Sequence, residues 1–329
     1  MSPRDPEKPA TGSSAVSSTV DVDEHDVHTD PAALETLAEA AAHETVEVAP
    51  DGSVVGYRAR RTLRLRVELV RQLRRRRVQL VLGFLLVLPW ILWAAFEFGT
   101  EGRNARSGGF VDLATSSAPN FVVFVLFATG SFLLPMIVAL FFGDTIASEA
   151  SWSSLKYLLA IPIPRHRLMR QKAITSALLS LFAITLLPAV ALLVGVIFYG
   201  TGEALSPTGD AIAFDQSMVA LVLTICYLAI HLLWVAGVAL FLTVSTDAPL
   251  GAVGGTVLVA ILSQILDQIT ALEGLRNYLP THYAFAWSDL ISNDIDWSNM
   301  AAGAFSAVAY GAFFGLLAWR RFRTKDITS

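Results

Sequence analysis

Gly143 to Lys172 reads GDTIASEASWSSLKYLLAIPIPRHRLMRQK, a polar, basic and proline-broken stretch set between two long apolar runs. Trp152, Leu155 and Leu159 recur at helical spacing. The spacing predicts a short amphipathic helix with one apolar face for a partner, while Lys156 and the serines stay in water. Pro162 and Pro164 end that helix, because proline has no N–H to donate and disfavours helical backbone in the residue before it. Arg165, Arg167, Arg170 and Lys172 then lead into the next apolar run. An elbow of this kind, hung between two membrane spans, can be pushed by something bound at the membrane surface.

The rest of the chain supplies the membrane. Of 329 residues, 54% are hydrophobic and only 16% charged, and the mean hydropathy is +0.55. That is too apolar for an ordinary soluble domain and predicts an all-α integral membrane protein. Apolar runs long enough to cross a bilayer core occur near 78–98, 121–142, 173–199, 218–242, 249–269 and 300–319, giving six transmembrane helices. Lys and Arg outside these runs segregate. Ten lie in 58–77, five between spans two and three and four after span six, against Arg103, Arg106 and Arg276 on the other side. The positive-inside rule then puts both termini and the 143–172 loop in the cytoplasm of an inner or plasma membrane.

Three segments follow from composition. Residues 1–45 are rich in Pro, Ser, Thr, Ala and acids and predict a disordered cytoplasmic tail, uncleaved because it has no signal-like apolar core. It reads as a solubilising tail or as a docking arm for the basic stretch downstream. Residues 46–77 combine a small hairpin around Asp51-Gly52 with a basic amphipathic helix. That helix, Arg58 to Arg77, holds ten arginines and a stripe of Leu63, Val67, Val70 and Leu73. Its arginines suit anionic headgroups better than nucleic acid, since a span follows at once. Residues 78–325 form the six-span domain.

Inside the spans, Pro89, Pro135 and Pro188 are candidate bending points. Gly251 and Gly255, and Gly303, Ala307, Gly311 and Gly315, allow close helix approach, read as packing inside one bundle ahead of a subunit interface. Thr224, Tyr227, His231 and Trp234 share one face of span four, and Ser263, Gln264, Asp267 and Gln268 share one face of span five. A polar group in lipid turns to the bundle interior or a cavity. Tyr227, His231, Gln264 and Asp267 are therefore candidates to line a translocation path, with a hydrogen-bonded structural role for His231 and a wet outer position for Asp267 as the alternatives. The loop 271–299 predicts one or two short helices on the outer leaflet, with Tyr278, Tyr283, Phe285, Trp287 and Trp297 at the interface. Residues 201–217 read as a solvated external connection. His282 has no second ligand at metal spacing, so no metal site is expected. The single Cys226 excludes an intrachain disulfide. The sequence has no GxxxxGK[ST], HExxH or nucleophile elbow, and no catalytic residue is expected.

The order of Glu149, a short helix, Pro162, Arg165 and Lys172 at the head of the third span resembles the permease subunits of ABC-2 (type V, exporter-like) ABC transporters, and the likeness runs from about Arg58 to the C-terminus. The resemblance implies that 143–172 carries a coupling helix seated on a separate ATP-binding subunit. Glu149, Tyr157, Arg165 and Lys172 match the family positions, and Trp152 and Leu155 supply the apolar face. It also implies that the basic helix is the connecting helix beside the coupling helix, that LPTHY (279–283) belongs to an outer re-entrant region, and that span five borders a dimer axis. Two ATP-binding subunits would hold the ATP and Mg, leaving this chain without a cofactor of its own and without nucleic acid. A second permease copy or a paralogue would complete the path, with export of an amphiphilic or hydrophobic drug, peptide or lipid as the implied activity. An ion-gradient-driven secondary transporter and a non-transport membrane scaffold are the other readings. Neither explains the elbow as well.

Overall fold

The computed structural model describes residues 64–99, 109–151, 165–205, 211–292 and 295–324. The acidic tail, the hairpin around Asp51-Gly52 and the short helix with Trp152, Leu155 and Tyr157 lie outside the described residues.

The described chain is an all-α membrane bundle. Helix α1 (Leu65–Leu73) precedes the first span, α2 (Arg76–Phe98). A one-turn helix, α3 (Phe110–Ala114), leads to α4 (Ala118–Gly130) and α5 (Leu133–Ser151). Then come α6 (Arg165–Tyr199), a two-stranded hairpin of β1 (Ala204–Leu205) and β2 (Ala211–Ile212), α7 (Phe214–His231) and α8 (Leu233–Ser245). After α9 (Pro249–Gln268), three 3-10 helices over Thr270–Tyr278, Pro280–Tyr283 and Ala286–Ile291 form a cover, and α10 (Trp297–Thr324) closes the bundle. Among the described residues, five helical stretches are long and apolar enough to cross a membrane, α7 with α8 counting as one, and α4 with α5 make a sixth as a pair bent by 57°.

Each predicted span has a helical counterpart. The basic helix differs: it stops at Leu73, Arg75 is extended (φ −69°, ψ 128°) and α2 begins at Arg76. From this extended residue the Arg75 guanidinium reaches Asp144 (3.0 Å). On α1, Val67 and Val70 face outward while Glu68 and Gln72 are buried and Leu73 packs against the core, so of the apolar stripe Val67 and Val70 are left for the membrane interface and the polar face turns into the protein.

Two spans are interrupted. The break at Ser131-Phe132 follows from Pro135, whose missing N–H leaves the Ser131 carbonyl without its helical donor. Gln264 Nε2 on α9 donates to that carbonyl instead (2.7 Å). By contrast α2 and α6 run through Pro89 and Pro188 without interruption, so these two expected bending points do not break their helices. The second break, at Leu232, has no proline. It lies where α10 comes closest: a Cβ on Gly311 would fall 2.8 Å from the Leu233 carbonyl oxygen, and one on Gly237 2.7 Å from that of Gly311. Gly303 similarly has room for nothing larger, against Tyr227 and Tyr283. These small residues pack inside one bundle.

Two loop expectations are corrected. The 201–217 connection is partly packed rather than solvated: Ala204 and Ile212 are paired and buried, and the Leu205 N–H donates to Asn120 Oδ1 on α4 (3.0 Å). Trp287, expected at the interface, is fully buried, and its ring lies 4.8 Å from that of Phe127. Tyr278 and Trp297 do remain exposed. The aromatics of this loop therefore divide between filling the bundle and facing the membrane boundary.

Candidate functional site

Lys172, near the start of α6, and Glu149, near the end of α5, bracket the stretch 152–164. They meet: Lys172 Nζ lies 2.5 Å from Glu149 Oε1 and 2.7 Å from Glu68 Oε1 on α1. Arg71 pairs with Glu68 (3.1 Å) and also with Glu149. One turn along, Arg75 reaches Asp144 (3.0 Å), the Ser148 hydroxyl (3.2 Å) and Glu149 (3.7 Å), and Arg77 reaches the other Asp144 oxygen (2.7 Å). Four bases and three acids thus tie α1 and the head of α2 to α5 and α6.

Burial decides the character of this cluster. Glu149 and Lys172 are each 3% exposed, so they are held inside the protein. Burial on its own pushes the Glu68 carboxyl up, but the Lys172 ammonium, the Arg71 guanidinium and the hydrogen bond from Gln72 outweigh it and hold it below the usual carboxylate value. Burial works against the charged Arg71 guanidinium too, and Glu149 and Glu68 more than compensate, raising it. A buried pair completed in this way is stable as a pair and costly to halve.

Sequence reasoning singled out Glu149, Arg165 and Lys172 and missed Glu68, Arg71, Arg75, Arg77 and Asp144. One signal was available: Glu68 is the lone acid among the ten arginines of 58–77. Arg165 opens α6. Trp152, Leu155 and Tyr157 are outside the described residues.

Of the candidate path residues, Tyr227 and His231 lie together, while Gln264 and Asp267 make separate contacts. Tyr227 donates to the Tyr283 carbonyl (2.6 Å) and stacks on His231, ring centroids 5.5 Å apart. His231 is buried at the α7 break, and its Nδ1 has no hydrogen-bond partner among the described residues. Gln264 is committed to Ser131, as above. Asp267 Oδ1 lies 2.6 Å from His282 Nδ1. The Ser263 and Thr281 hydroxyls lie 2.7 Å apart, and Tyr310 donates to the Tyr278 carbonyl (2.8 Å). These contacts stitch the 3-10 cover to α7, α9 and α10. Among the described residues, no group of three His, Cys, Asp or Glu side chains is placed to hold a metal ion.

No curated protein matches the chain. Residues 65–263, well over half of it, match the family described as ABC-2 family transporter protein, from the first residue of α1 to the polar face of α9. The multi-pass helical bundle, the basic helix ahead of its first span and this match together make the chain a member of the ABC-2 transporter family, whose members are the permeases of ABC transporters.

Proposed function

We propose that this permease works as an exporter of an amphiphilic or hydrophobic compound, paired with a second copy or a paralogue and driven by two separate ATP-binding subunits that carry the ATP and Mg. The carrying observation is the charge cluster at the two ends of the 152–164 segment. Glu149 and Lys172 bond to each other and, through Glu68 and Arg71, to α1. A push on that segment therefore enters spans two and three together and is shared with the basic helix. The excess of Lys and Arg at this end supports a cytoplasmic placement of both termini in an inner or plasma membrane.

In this reading Trp152, Leu155, Tyr157 and Arg165 contact the ATP-binding subunit, and Glu149 and Lys172 carry the motion inward. Tyr227 and Asp267 shape the far half of the path by holding the cover in place, with His231 stacked on Tyr227 and Gln264 closing the α4–α5 break.

The test is purification of the tagged chain in mild detergent with mass spectrometry of what co-purifies and an ATPase assay. Leu155→Glu is expected to release the ATP-binding subunit. The pair Glu149→Gln with Lys172→Met, which removes both charges at once, is expected to keep it bound and hydrolysing ATP while transport fails. A wild-type chain that purifies without any ATPase in detergent and in lipid discs would end this reading.

A further inference from the structure

Spans three and four do not close against each other along their whole length. Residues 177–184 of α6 form one wall of a crevice and residues 229–236, across the α7–α8 junction, form the other, with Val138 and Phe142 of α5 as its floor. The free space inside is about 200 Å³. It reaches deep, since Val138 is 2% exposed and Ile184 and Leu232 are each 3% exposed. It is also open. Leu181 and Leu233, one on each wall, are 45% and 41% exposed and form its rims. Beyond the rims the exposed side chains of Leu178, Phe182 and Ile230 continue the outer surface of the bundle.

Depth and chemistry select the occupant. Both walls come from the middle of their helical stretches, α6 (Arg165–Tyr199) and Phe214–Ser245, so the crevice opens sideways at the level of the hydrocarbon core. Ser180 is the one polar side chain on its wall and is itself buried, which leaves hydrocarbon as the chemistry that fits. An apolar space of about 150 Å³ already stays dry and accepts a benzene-sized guest. Left empty, the wall atoms forfeit their dispersion contacts on one side. A second copy is a poor filler, because a helix about 10–12 Å across is too wide to sink into so small a space. A single aliphatic chain is not, and at this depth the bilayer supplies one.

We propose that the crevice holds the methyl-end stretch of one phospholipid acyl chain, bound as part of the bundle and distinct from the chains that pass over its outer faces. In lipid the gain comes from packing, because the surrounding tails are as apolar as the wall. The proposal rests on the membrane fold and not on the transport reading.

The test reconstitutes the full chain in phosphatidylcholine vesicles that include a phosphatidylcholine with a photoactivatable diazirine near the methyl end of one acyl chain. Adducts are mapped by mass spectrometry after irradiation and digestion. They are expected to concentrate on residues 177–184 and 229–236, above the level on the middle of α2, where Leu86, Val87 and Ile91 are exposed. Ala229→Phe, which puts a ring into the crevice, is expected to bring the labelling of both walls down to the level on α2 and to leave α2 itself unchanged. Thermal unfolding checks that the variant is folded, and Ala177→Phe, from the opposite wall, takes its place if it is not. Wall labelling no higher than that of α2, or undiminished in a folded variant with the crevice filled, overturns the proposal. So does a disulfide between two copies carrying Ala177→Cys with Cys226→Ser, formed in the same vesicles, which would seat a second chain at the crevice. The vesicles hold no ATP-binding subunit and no cargo, so neither result bears on the transport reading.

Discussion

At the charged end of the bundle, Lys172 lies between the carboxylates of Glu68 and Glu149, and Arg71 and Arg75 close the same ring. At the covered end the ties are mostly single hydrogen bonds from neutral side chains to backbone carbonyls: Tyr227 to Tyr283, Tyr310 to Tyr278 and Gln264 to Ser131. The difference lies in what a lost partner leaves behind. Removing one ion strands another in a poorly solvated place, whereas removing a hydroxyl strands one carbonyl. The charged end is therefore close to all-or-none, and the covered end loosens by steps.

The largest test of that contrast is Lys172→Met. It leaves Glu68 and Glu149 with only Arg71 and Arg75 between them and is expected to cost up to about 3–5 kcal/mol, read as thermal unfolding in detergent. Adding Glu149→Gln should recover part of the loss, and no recovery would mean the two are not coupled. Acid should act on the same ring. The Glu68 carboxyl is held below its ordinary 4.5, so the folded protein binds that proton less readily than the unfolded chain. Its contribution is then full above the ordinary value and is lost as pH falls through the lower, folded-state value. The Glu68→Gln variant should lack this acid-side loss when unfolding is followed against pH.

At the covered end, Gln264→Leu strands the Ser131 carbonyl and is expected to cost about 1–3 kcal/mol. Pro135→Ala returns a backbone N–H to that carbonyl, so the double variant should lose markedly less than Gln264→Leu alone. Equal losses would show that Gln264 acts elsewhere. A smaller effect, about 1 kcal/mol, is expected for Tyr227→Phe, which keeps the stacking on His231 and loses only the bond to Tyr283. The smallest belongs back at the charged end. Arg77 is 60% exposed, so Arg77→Ala should cost no more than about 1 kcal/mol. A loss as large as that of Lys172→Met would erase the distinction between buried and exposed members of the cluster.

The spans were legible because each needs a run of apolar residues that nothing else explains. Pro162 and Pro164 and the basic residues after them set 143–172 apart from an otherwise apolar neighbourhood, and of that stretch the described residues show the ion pair between Glu149 and Lys172. Pairing was not legible. Nothing local joins Glu68 to Lys172, 104 positions away, or sends Arg75 to Asp144. The break at Leu232 was hidden as well, because its surroundings include a neighbour's glycine, Gly311, rather than a proline of its own. Pro135 shows the converse: the residue was read as a bend, but its consequence, a carbonyl claimed by Gln264, needed the fold. Trp287 was placed by a rule for aromatics at interfaces that does not distinguish a ring on the boundary from one plugged beneath it.

Gly237 and Gly311 bring the backbones of α8 and α10 into contact with no side chain between them. A seam of that kind has no rotamers to exchange, so it lacks the usual means by which packed helices slide past each other. Over this stretch spans four and six meet backbone to backbone, so any side chain larger than hydrogen at Gly237 or Gly311 pushes the two helices apart.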